Sequence, residues 1–333
     1  MLGAGAKVVN TRFTTSPRQA RRAFVQVKSI LLDMKSPQAI PTGLPSTPEE
    51  LTRGPVRVCL VAMSGVGKTH MARKLPHGQW FHYSGDYRIG TRYLADDIGD
   101  YLKALAIRDS TLKALLASDS IYVNHNITFA NLNALSAYLG MVGCEVAGGL
   151  PTAEFRKRQA KFRSAEIAAM ADVPRFVKRA QTLYGYPNFV NDAGGSLCEI
   201  FREPTVAPAI SGPAAGFLVH IAEPDSLIDI LRARAESDPK PMYYDPAFFE
   251  AAFADFCVEQ DHADPDVIPR AFFAWVFDRL IAHRRNLYRE MASLPNGITV
   301  PMEKAQAVQD EADFLNLLWS GVTDRRAGMS TAG

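Results

Sequence analysis

The sequence predicts an α/β protein, a three-layer α/β/α arrangement in which a five-stranded parallel sheet is covered by helices on both faces and carries a large helical insertion. Three observations lead there. Short apolar, β-branched runs alternate with longer stretches of helical period. A glycine-rich turn separates the first such run from the helix-like segment behind it. About 90 residues of helical pattern then stand between the second and third runs.

Composition bounds what such a chain does. At 333 residues and 47% hydrophobic it can bury a substantial core, and its length allows one large or two ordinary domains. A formal charge of +2 gives no global field for nucleic acid or an acidic membrane surface, so any basic site must be local. Cys59, Cys144, Cys198 and Cys257 form no CxxC pair and no metal-ligand spacing, which reads as reduced intracellular thiols without a structural zinc. No apolar run reaches the roughly 18 residues of a membrane span, and the N-terminus lacks the compact apolar core of a secretory signal. The expected location is cytoplasmic.

Residues 1–55 are expected to form a basic N-terminal helix and a proline-rich linker. The first 32 residues carry Lys7, Arg12, Arg18, Arg21, Arg22 and Lys28 with no acid before Asp33, a composition that suits an organelle transit peptide. The apolar period of Ala23, Phe24, Val27, Ile30 and Leu31 favours instead a helix from about Pro17 to Met34, docked on the main domain. The stretch 36–55, "SPQAIPTGLPSTPEELTRGP", has five prolines and two glycines without apolar period and reads as linker.

The main domain spans 56–333. Strands are expected at 56–62, 80–85 ("WFHYSG"), 188–192 ("NFVND"), 216–221 ("GFLVHI") and 297–300 ("GITV"), with the helical insertion at about 94–185. Helices are expected from Lys68, over "PDSLIDILRARA" and over "AFFAWVFDRLIAHRRNLYREMASL".

Between the first strand and its helix, Ala62-Met63-Ser64-Gly65-Val66-Gly67-Lys68-Thr69 fills the pattern [AG]xxxxGK[ST]. Phosphate binding needs this spacing because successive backbone N–H groups must curl around an anion where a helix N-terminus presents unpaired donors. Ser64, Gly65, Val66 and Gly67 form the cradle, Lys68 bridges the β- and γ-phosphates of ATP, and the Thr69 hydroxyl ligates Mg²⁺. An apolar strand before the loop and a helical face of Met71, Ala72 and Leu75 after it supply the context the motif requires, that of a P-loop NTPase.

The second strand ends in "SGDYRIGTRYL". Parallel strands deliver their carboxyl ends to the ligand crevice, so Asp86 and Arg88 are expected near the mouth of the cradle. An aspartate there accepts or orients a hydroxyl proton, and an arginine two residues later fixes an anionic substrate group. Asp192, closing the third strand, stands where a carboxylate reaches Mg²⁺ through water, although aspartate also favours turns.

"SGDYRIG" resembles the G-D-x-x-R segment of adenylylsulfate kinases, and the wider layout is similar to shikimate and gluconate kinases, small P-loop kinases that phosphorylate a small-molecule hydroxyl. The resemblance implies the strand order 2-3-1-4-5. "VNDAGGS", residues 190–196, stands where shikimate kinases expose backbone N–H groups to substrate, which implies substrate contacts at Gly194 and Gly195. "ILRARAESDPKPMY" occupies the place of their lid, and "RRNLYREMA" resembles their R-x-P-L-Y-x-E-x-A helix. By the same implication Arg284 is the substrate arginine, Lys240 the lid cation, Arg232 the nucleotide-side arginine and Asp86 the base. Lys240 in place of arginine, Asn286 in place of proline and the long insertion depart from that pattern. The arrangement also resembles, over most of residues 56–320, a bacterial family described only as ATPases.

Other features have simpler explanations. Ser196 and Glu199 match a capping box, S-x-x-E. Arg156, Lys157, Arg158, Lys161 and Arg163 fit the solvated face of an amphipathic helix. His70 and His82 have no partner at metal spacing, and Phe248, Phe249, Ala252 and Phe253 read as core. The leading expectation is a kinase that transfers the γ-phosphate of ATP to a hydroxyl of a small, anionic acceptor. A regulatory ATPase with a macromolecular partner and a nucleic-acid kinase are the alternatives. Against a motor ATPase, no apolar run ends in paired acids and no arginine finger is evident.

Overall fold

In a computed structural model of the protein, residues 44–212, 215–237, 242–261 and 264–331 are described. All fall in the second of two units, Ile40–Gly333. The first unit, Met1–Ala39, lies outside them, and so does the basic helix expected over 17–34.

In chain order the elements are α1 (Pro48–Thr52), β1 (Arg57–Val61), α2 (Lys68–Ala72), β2 (Trp80–Ser84), α3 (Gly85–Arg88), α4 (Ala95–Ala106), α5 (Ser110–Ala117), α6 (Asn133–Leu139), α7 (Thr152–Ala171) and α8 (Val173–Thr182). There follow β3 (Asn188–Asp192), α9 (Leu197–Ile200), α10 (Ala207–Ile210), β4 (Phe217–Ala222), α11 (Asp225–Ser237), α12 (Pro246–Glu259), α13 (Pro269–Ala292), β5 (Gly297–Pro301), α14 (Met302–Ala307) and α15 (Glu311–Thr331).

The five strands pair in parallel throughout, in the order β2-β3-β1-β4-β5. Four of the five residues in β1 and in β3 are buried whichever way they point, the mark of a sheet covered on both faces. Trp80 meets Phe314 of α15 edge-on at 5.3 Å on one face. Phe81 and Tyr83 point the opposite way and meet Phe176 of α8 at 6.3 and 5.1 Å. On β5, Ile298 and Val300 pack against Gly321 of α15.

Two boundaries differ from expectation. Within the proline-rich stretch, Thr47 accepts a bond from the Glu50 N–H and starts α1, and its Leu51 is buried. The helix after the glycine-rich loop stops at Ala72 rather than running to Leu75.

The insertion begins at once after β2, passes through one π-helical turn at Ile89–Tyr93, and is irregular between α5 and α6. It has its own apolar core, including Ile98, Ile127, Leu135 and Phe162. An aromatic cluster of Phe249, Phe253, Phe256 and Phe272 joins α12 to α13. Helix α7 contributes to all three cores, through Phe155 to the aromatic cluster, Phe162 and Ala165 to the insertion, and Met170 to the core around the sheet. No helix of the described residues is long and apolar enough to cross a membrane.

Candidate functional site

Because every strand runs the same way, the ends of β1, β2 and β3 open onto one edge of the sheet. Asp192 is level with Leu60 on one side and Ser84 on the other, so the residues that follow these strands meet above it.

The loop after β1 turns on Gly65 (φ +87°) and Gly67 (φ +109°), backbone angles that glycine adopts without a Cβ clash. Ser64 and Gly65 are exposed, while Val66 is turned into the core. Lys68 is only 8% exposed, and its Nζ donates to the carbonyls of Ala62 (2.7 Å) and Met63 (3.2 Å). Burial lowers its pKa, and the charges of Asp192 and Asp86 act in the opposite direction. One residue on, the Thr69 hydroxyl donates to Asp192 Oδ2 at 2.5 Å. His82 Nε2 lies 3.5 Å from the same oxygen without hydrogen-bond geometry, its ring edge-on to Phe129 at 4.8 Å.

Asp86 sits in the first turn of α3, which Ser84 caps through the Tyr87 N–H. Burial raises its pKa to about 6, with Lys68 opposing and Asp192 adding to the rise. Opposite it stands Glu166 of α7, 2% exposed and fixed by the Ser196 hydroxyl at 2.8 and 2.9 Å to its two oxygens. Gly194 lies between them. A Cβ there would come within 2.6 Å of Asp86 Oδ1 and 3.1 Å of Glu166 Oε1, so the two carboxyls approach only because position 194 has no side chain. Gly195 is as closely held, with a Cβ reaching 3.2 Å from the Ser64 N–H nitrogen. The Tyr288 hydroxyl donates to its carbonyl at 2.5 Å. Glu166 is pushed up to about 8, by burial first, with Ser196 lowering it and Asp86 adding to the rise.

The structure thus brings Ser64 to Thr69, Asp86, Asp192, Gly194 and Gly195 together. The expected arginines are elsewhere engaged. Arg88 reaches Asp172 through Nε (2.9 Å) and Nη2 (2.7 Å) and lies over the Tyr93 and Phe176 rings. Arg284 is buried, with Nε on Glu199 at 2.7 Å and Nη2 on the Tyr243 carbonyl at 2.8 Å. Glu199 also meets His283 Nε2 at 3.0 Å. Glu199 is therefore the counter-ion of Arg284 and not half of a capping box, and the Ser196 hydroxyl caps nothing because Glu166 holds it. Arg232 follows Leu231, whose side chain faces Gly65, but its guanidinium pairs with Asp229 (2.7 Å) and Asp278 (2.9 Å). Lys240 lies outside the described residues.

The basic run on α7 is paired along its length, Arg156 with Glu250, Lys157 and Arg158 with Glu154, Lys161 with Asp97 and Arg163 with Glu203. Sequence reasoning missed Glu166, and a signal was there. Positions 162, 165, 166 and 169 form one helical stripe, Phe-Ala-Glu-Ala, so an acid falls on the apolar face.

Thr69 and Asp192 offer a hydroxyl and a carboxylate oxygen, hard donors that suit Mg²⁺, which takes its other ligands from phosphates and water. Among the described residues no group of three His, Cys, Asp or Glu is arranged to hold a metal by itself. Fold and site together define an α/β protein with a parallel five-stranded sheet, a glycine-rich loop at its carboxyl edge and two carboxyl groups, Asp86 and Glu166, converging beside it. No family model, curated protein or solved structure matches the chain.

Proposed function

We propose that the chain is a P-loop phosphotransferase, which binds ATP with Mg²⁺ on residues 62–69 and transfers the γ-phosphoryl group to a hydroxyl of a small molecule. The observation that carries this reading is the cluster at the end of β1 and β3. Two left-handed glycines, a buried lysine and a threonine hydroxyl bonded to Asp192 stand within one loop's reach of a second carboxylate, Asp86.

On this reading Lys68 exchanges its two carbonyl partners for phosphate oxygens, and the Ser64–Gly67 backbone N–H groups receive the remaining charge. Thr69 and Asp192 would hold Mg²⁺, directly and through water, and the ion supplies charge neutralisation at the phosphates. Asp86 takes the proton of the acceptor hydroxyl. A pKa of about 6 leaves it ionised at neutral pH and more basic than an ordinary aspartate, which suits a general base. The backbone at Gly194 and Gly195 closes the acceptor side.

Binding of a fluorescent ATP analogue tests the reading, with Lys68→Ala as the control. Removing a charge-assisted contact worth about 1.5–3 kcal/mol weakens binding roughly tenfold or more. Unchanged affinity in the variant refutes nucleotide binding at this loop.

A further inference from the structure

Among the described residues, the side chains that meet around Gly194 are acidic and hydroxylic. Arg88 and Arg284, the two arginines expected to grip an anionic acceptor, are held by Asp172 and Glu199, and the nearby Arg163 is held by Glu203 at 2.5 Å. In their place Asp86 and Glu166 converge on Gly194. A second observation points to a ligand there. The Tyr243 hydroxyl is buried with no hydrogen-bond partner, in a residue 3% exposed whose ring stacks on Phe162, one turn before Glu166 on α7; burial raises its pKa first, with Arg163 opposing and Glu166 adding to the rise. A buried hydroxyl of this kind finds a partner in nearly every folded protein.

Resting on the phosphotransfer reading above, we propose that the acceptor is a polyhydroxy compound carrying no acidic group, a sugar or sugar alcohol, with its reacting hydroxyl on Asp86 and a neighbouring hydroxyl on Glu166 and Tyr243. A hydroxyl both donates and accepts, so it matches an ionised Asp86 and a Glu166 that keeps its proton at neutral pH. A carboxylate or sulfate placed there instead meets Asp86 and Asp192, while Arg88, Arg163 and Arg284 are already paired and Lys68, the cation beside Asp86, is committed to the phosphates. In the transfer, the acceptor oxygen bonds to the γ-phosphorus while the bond from that phosphorus to the β–γ bridging oxygen breaks. The nucleoside diphosphate leaves and the hydroxyl proton passes to Asp86.

The test measures acceptor-dependent release of ADP from Mg·ATP by the full chain. One panel contains hexoses, alditols and amino sugars, and the other contains hydroxy acids and sulfated alcohols. Phosphorylation confined to the first panel is expected, identified by mass spectrometry of the product. Glu166→Leu and Tyr243→Phe should each raise the acceptor KM roughly tenfold with the KM for ATP unchanged, the loss of about one buried hydrogen bond. Phosphorylation confined to the acidic panel overturns the inference and leaves the kinase reading standing. So does an acceptor KM unmoved in both variants. ADP release that no acceptor stimulates, from a chain that binds ATP through Lys68, overturns transfer and inference together.

Discussion

Replacing Glu199 by alanine decides whether Arg284 serves the fold or the substrate. The Glu199 side chain has no exposed surface and that of Arg284 is 8% exposed. Without the carboxylate, the guanidinium retains only the Tyr243 carbonyl at 2.8 Å. Breaking a buried pair by removing one partner costs about 3–5 kcal/mol, because the remaining charge is neither paired nor hydrated. Replacing both partners, as Glu199→Leu with Arg284→Met, removes that charge and should recover most of the loss. Urea unfolding followed by far-ultraviolet circular dichroism reads the difference. With a slope of about 3 kcal/mol per molar, the single variant should unfold roughly 1–1.7 M earlier and the double variant close to the wild type. A single variant within about 0.3 M of wild type, alongside an Arg284→Met enzyme whose only defect is a raised acceptor KM, refutes the structural assignment and restores Arg284 to the substrate.

Three further outcomes follow from the same geometry. Glu166 holds its proton in the fold up to about pH 8 but releases it near 4.5 when unfolded, so between those values the native state binds a proton the unfolded chain lacks and stability falls as pH rises. Glu166→Gln should flatten that decline, read as urea midpoints at a series of pH values, and an unaltered slope counts against a protonated Glu166. Gly194→Ala drives a methyl group between Asp86 and Glu166 and should lower kcat at least tenfold while the ATP analogue binds as before; equal turnover means the two carboxyls do not act together. Thr69→Val removes the hydroxyl bonded to Asp192 and should raise the Mg²⁺ concentration for half-maximal rate several-fold, with a kcat at saturating metal much less affected.

The parallel sheet was legible because five short apolar runs are separated by helical stretches, while its order was an implication of the resemblance to small P-loop kinases and not of the runs themselves. The meeting of Thr69 with Asp192 was legible too, since Asp192 closes β3 and Thr69 lies in the first turn of the helix that follows the β1 loop, both at the carboxyl edge of the sheet. The arginines were not. Arg88 finds Asp172 and Arg284 finds Glu199 across 84 and 85 residues of chain. Local spacing carries no record of such pairings. Ser196 and Glu199 have the spacing of a capping box, but α9 is a single turn, and stronger partners from α7 and α13 draw both side chains away. Long-range charge pairing overrode a local rule.

Helix α7 gives the crevice its width from a distance. Its 20 residues make a rod about 30 Å long. At one end Phe155 lies 5.1 Å from Phe249 in the aromatic cluster, and near the other the Ala169 carbonyl accepts from Tyr83 of the sheet at 2.6 Å. In between, Gln159 clasps the Met242 carbonyl and the Tyr244 N–H. A rod anchored at three points cannot retreat at Glu166 alone. Admitting a bulkier acceptor therefore requires Phe155, about 16 Å away along the helix axis, to find a new seat. On the phosphotransfer proposal, acceptor size is then an inherited property of the aromatic core, and selection for a new substrate would leave its marks there before it reached the two carboxyls.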